Sequence, residues 1–184
     1  MRMPSRSAIP LLLLAGAAAA AGGCDRLPGP ESAPRMIVAW TGSDTGAMAA
    51  RVVAEWCDSL RMLEVRGVQG DSGLSIAIYP RAAIQPDSYP VRLPDRADSI
   101  RPSSAVGARW FAETSVRGYQ GDSGAVVLDQ AGARVSGRLQ AQMRSVNDGG
   151  RLDLEATFRD VRVVPATRGC VSKAPPAPAD SGVS

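Results

Sequence analysis

Between Met36 and Pro165 the apolar residues recur at every second position, the period of a strand with one face on a core, and not at the 3.6-residue spacing of an amphipathic helix. SGLSIAIYP sets Leu74, Ile76 and Ile78 on one face against Ser75, Ala77 and Tyr79. RLQAQMR alternates Leu139, Ala141 and Met143 with Arg138, Gln140, Gln142 and Arg144. RLDLEATF turns Leu152, Leu154, Ala156 and Phe158 inward; the apolar phase then jumps to Val161 and Val163, predicting a bulge near Arg159 and Asp160.

Further strands are expected over Met36–Thr41, Ala49–Cys57, Arg61–Val68, Tyr89–Leu93, Val106–Val116 and Ala125–Asp129. The turn-formers GSDTG, GDSG (twice), DQAG and NDGG separate them. The Ala- and Met-containing AMAARVVAEW suits helix as well, but Val52, Ala54 and Trp56 alternate with Arg51, Val53 and Glu55, which favours strand. About nine short strands, each with one polar face, indicate an all-β fold, either an antiparallel β-sandwich or an open barrel. The longest irregular stretch, residues 81 to 104, contains four prolines around one short strand and reads mainly as a connection.

The ends differ in character from this middle. Residues 1 to 23 carry Arg2 and Arg6, an apolar run from Ile9 to Ala21, and then small residues, the layout of an export signal too short and Ala-rich to span a bilayer. Ala21-Gly22-Gly23 leads directly into Cys24, which resembles the lipobox of bacterial lipoproteins. That resemblance implies cleavage before Cys24 and acyl chains on its thiol and amino group, enough for stable membrane attachment. Residues 24 to 34 are Pro-rich and polar and read as a tether; residues 173 to 184 read as a disordered Pro/Ala tail. One domain, residues 35 to 172, lies between them. The address is the cell envelope, with inner and outer membrane both open.

Charge narrows the partners. The chain's net +3 falls when Arg2 and Arg6 leave with the signal, which leaves 19 basic against 18 acidic residues. Near-neutrality without a local basic cluster in the sequence argues against nucleic acid. Of three cysteines, Cys24 is assigned to lipid; Cys57 and Cys170 are then expected to form a disulfide in an oxidising compartment, contributing about 4 to 5 kcal/mol by loop-closure entropy.

RGVQGDSG at 66–73 returns as RGYQGDSG at 117–124. GDSG is also the string around the nucleophile of chymotrypsin-like serine proteases. That chemistry needs a histidine base, and the chain has none. The only lysine is Lys173, in the tail, so a Ser–Lys pair is not expected either. Both copies are therefore read as hairpin turns: Gly70, Asp71 and Gly73 in the first, Gly121, Asp122 and Gly124 in the second, with the last glycine at positive φ and Ser72 and Ser123 at the tips. The echo suggests two related halves, about 50–93 and 105–165.

Glu55, Glu64, Glu113 and Asp153 fall on separate strands with nothing in sequence to pair them, and each turn offers a single acid, too few for a tight calcium site. No metal, no cofactor and no enzymatic activity are expected. The three tryptophans, Trp40, Trp56 and Trp110, are assigned to the core.

From Gly121 to Val164 the order is strand, Val135-Ser136-Gly137, strand, loop, then a strand with Phe158 and Val161. This resembles a pattern of uncharacterised bacterial envelope lipoproteins, and implies a β fold and an envelope address without any ligand-binding residue. The expected role is a lipid-anchored binding or scaffolding domain for an unidentified envelope partner. A carrier for an apolar ligand inside an open barrel is the alternative, and a histidine-free hydrolase a more distant one.

Overall fold

The computed structural model describes residues 33–112 and 115–166. Nine strands follow one another: β1 Arg35–Gly42, β2 Gly46–Cys57, β3 Met62–Gln69, β4 Ser72–Tyr79, β5 Ser88–Pro90, β6 Ser103–Ala112, β7 Ser115–Gln130, β8 Arg134–Ser145 and β9 Arg151–Pro165, with one short helix, α1, at Pro94–Ala97. Of the two shapes left open by the sequence, the sheet takes the barrel, and it is closed. Antiparallel ladders run β7–β6–β4–β3–β2–β1–β9–β8, and β8 pairs back onto β7.

The alternation explains the closure. Met36, Val38 and Trp40, then Ala50, Val52 and Ala54, then Leu63 and Val65, and so on round the ring, point to the axis and are buried. Most outward residues of β8 and β9 are polar, among them Arg138, Gln140, Gln142, Asp153, Glu155 and Thr157. On these strands the wall is apolar inside and largely polar outside, the reverse of the lipid-facing band of a transmembrane barrel. Eight strands leave an interior just wide enough for side chains to fill. Here Met36, Tyr89, Leu139, Met143, Leu154 and Phe158 fill it.

Strand alternation sorts the connections into two ends. One, the turn end, carries the connections after β1, β3, β6 and β8. The other, the terminal end, carries the remaining connections, the entry into β1 and the exit from β9. Two irregularities keep the ring closed there. β5 wedges between strands that part company: Tyr89 pairs with Val126 of β7, and Val91 bridges to Ser104 of β6. Beyond the start of β1, β9 reaches past it to pair in parallel with β2, Ala54 opposite Val163.

The expected bulge at Arg159–Asp160 is present. Asp160 has φ +52, its N–H donates to Ser136 Oγ at 2.9 Å, and the β8–β9 register shifts between Val135 and Gly137. Two expectations need correction. Val106–Val116 is not one strand, because β6 ends at Ala112 and β7 starts at Ser115. Gly121, Asp122, Ser123 and Gly124 are not a hairpin tip: they lie inside β7, where the register against β8 slips between Gly121 and Ser123. That strand runs on because β8 supplies partners on both sides of the slip. Only the first copy makes a turn, at Gly70-Asp71, and it is Gly70, at φ +57, not Gly73, that takes the left-handed position. With one copy in a hairpin and the other in mid-strand, the echo does not divide the barrel into equivalent halves.

Candidate functional site

A groove of about 430 Å³ opens on the outside of the β3–β4–β6–β7 wall, near the turn end. It exists because side chains are missing. Register places Gly73 opposite Arg109 and Arg109 opposite Gly118; one step along, Ser75 lies opposite Gly107. Gly73, Gly107 and Gly118 thus leave three adjacent strands bare, and a methyl built on Gly107 would meet nothing within 4 Å. Val68, Val146, Arg66 and Arg109 form the rim, while Leu74, Ala108 and Tyr119 contribute from below. Phe111 and Val116, facing each other across β6 and β7, extend the apolar surface toward the turn. Phe111, Val116, Val68 and Val146 are each about half exposed.

The two arginines of the rim differ. Arg66 is engaged by Glu55 and, at 3.7 Å, by Glu64, whose carboxylate also accepts from Ser75 Oγ at 2.9 Å. Glu55 and Glu64 are directly opposed on β2 and β3, a carboxylate pair that spacing in the sequence did not reveal, and Arg66 lies between them. Arg109 has no ion-pair partner among the described residues.

Beneath the groove Tyr119 belongs to an aromatic stack that closes the turn end. Its ring lies 4.8 Å from that of Trp110, which lies 4.4 Å from Trp40. Trp110 Nε1 donates to Asp44 Oδ2 at 2.8 Å, and Arg117 Nη1 lies 3.8 Å from the same oxygen, so the β1–β2 turn is tied onto the stack. Trp56, also expected in the core, sits at its margin and donates from Nε1 to Asp58 at 2.6 Å.

At the terminal end the 81–104 connection is well tied. Arg101 donates to the carbonyls of Leu60 and Arg61, pairs with Asp98 at 2.5 Å and lies over the Tyr79 ring. Burial pushes the Tyr79 phenol above its ordinary pKa, with Asp98 adding to the effect. Tyr89 plugs the barrel, its hydroxyl donating to Gln85 O at 2.8 Å, and burial raises its pKa as well.

The residues singled out by sequence fall as follows. Ser72 lies at the groove edge, whereas Ser123 is on another part of the wall and donates to Gln142 at 3.3 Å. The first copy of the motif contributes Arg66, Gly67, Val68, Ser72 and Gly73 to the groove and the second contributes Gly118 and Tyr119, so the repeat converges on one place. Cys57 ends β2 and is buried; Cys24 and Cys170 lie outside the described residues. Among the described residues no group of three or more His, Cys, Asp or Glu is arranged to hold a metal ion, and no helix is long and apolar enough to cross a membrane. Neither a family model, nor a curated protein, nor a solved structure matches the chain.

Proposed function

We propose that this is a lipid-anchored envelope protein whose barrel docks a partner in the outer groove, the partner presenting an extended apolar segment with a carboxylate. The observation that carries this is the bare three-glycine floor beside Arg109, which has no ion-pair partner among the described residues, while the barrel axis is occupied by side chains. An apolar chain covers the floor and the valines; the carboxylate meets the guanidinium in partly desolvated surroundings, where a charge-assisted hydrogen bond is at its strongest. A carrier would need interior space, which Tyr89, Phe158 and Met36 take up. The groove is lined by hydroxyls and guanidinium groups beside apolar side chains, a set suited to holding such a segment.

The anchor reading rests on the Cys24 motif, and the proposed disulfide on Cys57 with Cys170. Ala166 N–H donates to Trp56 O at 2.9 Å, next to Cys57. Four more residues span at most about 14 Å, so Cys170 is within reach of that thiol.

The docking test is a photocrosslinking amino acid at position 107 in the native envelope, with position 157 on the opposite wall as reference. A discrete adduct from 107, lost on Arg109→Glu and absent from 157, supports the groove; no adduct, or equal adducts from both, refutes it. The anchor is tested by labelling with an alkyne-bearing palmitate. Label on the wild-type protein that disappears with Cys24→Ser is expected, and an unlabelled wild type would overturn it.

A further inference from the structure

On the wall opposite the groove, β2, β1, β9 and β8 bring together arginines that are scattered in sequence. Arg35 stands directly across from Arg51, and Arg162 across from Arg134. Arg159 follows Phe158, the partner of Met36, and so stands beside Arg35. All five are exposed. Arg134 is held by Asp160 at 2.7 Å, but Arg35, Arg51, Arg159 and Arg162 have no carboxylate at ion-pair distance among the described residues. Like charges placed opposite one another across a ladder are unfavourable, and this patch contains two such pairs. Exposed apolar residues are interleaved with them: Ile37 (52 %), Val53 (43 %) and Val164 (39 %).

Position adds the rest. The patch surrounds the start of β1, and Arg35 is eleven residues after Cys24, a stretch of at most about 40 Å. We infer that this face rests on the anionic phospholipid surface into which Cys24 is anchored, the arginines meeting phosphate oxygens and the three aliphatic side chains entering the headgroup region. The inference rests on the anchor reading. Arginine suits phosphate because its planar fork donates two parallel hydrogen bonds, and each basic residue near such a surface contributes about fivefold in affinity. A tether of this length makes the contact intramolecular, so a patch with measurable but modest affinity for the surface is enough to orient the anchored protein. With the patch on the bilayer, the groove on the opposite wall faces the aqueous compartment.

The test uses the chain from residue 24 onward with Cys24→Ser, which keeps every described strand and carries no acyl chain; circular dichroism verifies its fold. Sedimentation with vesicles of phosphatidylglycerol and phosphatidylcholine, against phosphatidylcholine alone, should show at least about tenfold stronger binding to the anionic vesicles at low salt, lost near ~0.5 M salt as charges are screened. Arg35→Gln and Arg162→Gln should each lower binding about fivefold. Arg144→Gln, at the far end of β8, should leave it unchanged. Equal binding to both vesicles, no binding to either, or an equal loss with Arg144→Gln overturns the inference. So does a dimer in solution that Arg35→Gln disperses, which would make the face a self-interface. The palmitate label decides the anchor separately, since it reads acylation and not contact with the surface.

Discussion

The two octapeptides RGVQGDSG and RGYQGDSG differ at one position and adopt opposite facings. In the first, Arg66 points outward and Gly67 inward, and the chain turns at Gly70-Asp71. In the second, Arg117 is on the inner side beside Trp110, Gly118 is outside, and the strand continues through a bulge into β8's ladder. The single difference marks the change of phase. Val68 stands in solvent at 53 % exposed, while Tyr119 is 4 % exposed and stacked on Trp110. Shifting a strand by one residue exchanges its two faces; here an aromatic residue on one copy selects which face goes in.

The largest expected contrast is between the final glycines. Gly124 lies at φ +116, and a methyl group there would run directly into the Gln140 carbonyl and come within 2.7 Å of Ala141 Cα. Both obstacles are backbone of the neighbouring strand. Gly124→Ala should cost about 3 kcal/mol or more, combining dihedral strain with displacement of β8. At Gly73 the backbone is not left-handed and the nearest atom to such a methyl is Gly67 O at 3.1 Å. Gly73→Ala should cost about 1 kcal/mol, within the ordinary range for point changes. Denaturant midpoints of the two variants measure the difference, and equal losses would show that the copies are equivalent after all.

Next comes the residue that distinguishes them. Tyr119→Val removes a buried ring from a three-member stack and should cost about 3 kcal/mol. The reciprocal Val68→Tyr adds a ring on the outer rim of the groove, where space is available, and should change stability by less than about 0.5 kcal/mol. A stability loss from Val68→Tyr approaching that of Tyr119→Val would contradict the assigned facings.

What could be read in the sequence, and what could not, follows from the range of the interaction. Leu74, Ile76 and Ile78 show a strand with an inner face, because each reports only its own alternation. Closure depends on the β1–β9 ladder, Met36 against Phe158, whose partners are more than a hundred residues apart; the same alternation would serve a sandwich. The break between Ala112 and Ser115 carries Glu113 and Thr114, with no glycine, proline or asparagine to mark it. The groove was hidden for a related reason. Its floor is an absence of side chains at Gly73, Gly107 and Gly118, and only register brings them side by side. The arginine face likewise emerges only when β2, β1, β9 and β8 are laid next to one another.

The smallest expected effect is at the serines, which stand where the GDSG string of a serine protease carries its nucleophile. Ser123 Oγ makes one long hydrogen bond, 3.3 Å to the exposed Gln142, and Ser72 sits at the edge of the groove. Each hydroxyl reaches water when its partner is removed, so neither is left buried and unsatisfied, the circumstance that makes such losses expensive. Ser72→Ala and Ser123→Ala should each alter stability by less than about 0.5 kcal/mol. The two should still separate in binding. Ser72→Ala changes an atom beside the groove floor and should weaken the position-107 crosslink modestly, while Ser123→Ala, on a different stretch of wall, should leave it intact. If Ser123→Ala removed the crosslink and Ser72→Ala did not, the docking surface would have to be moved from the glycine floor to the bulged segment of β7, and with it the meaning of the second copy.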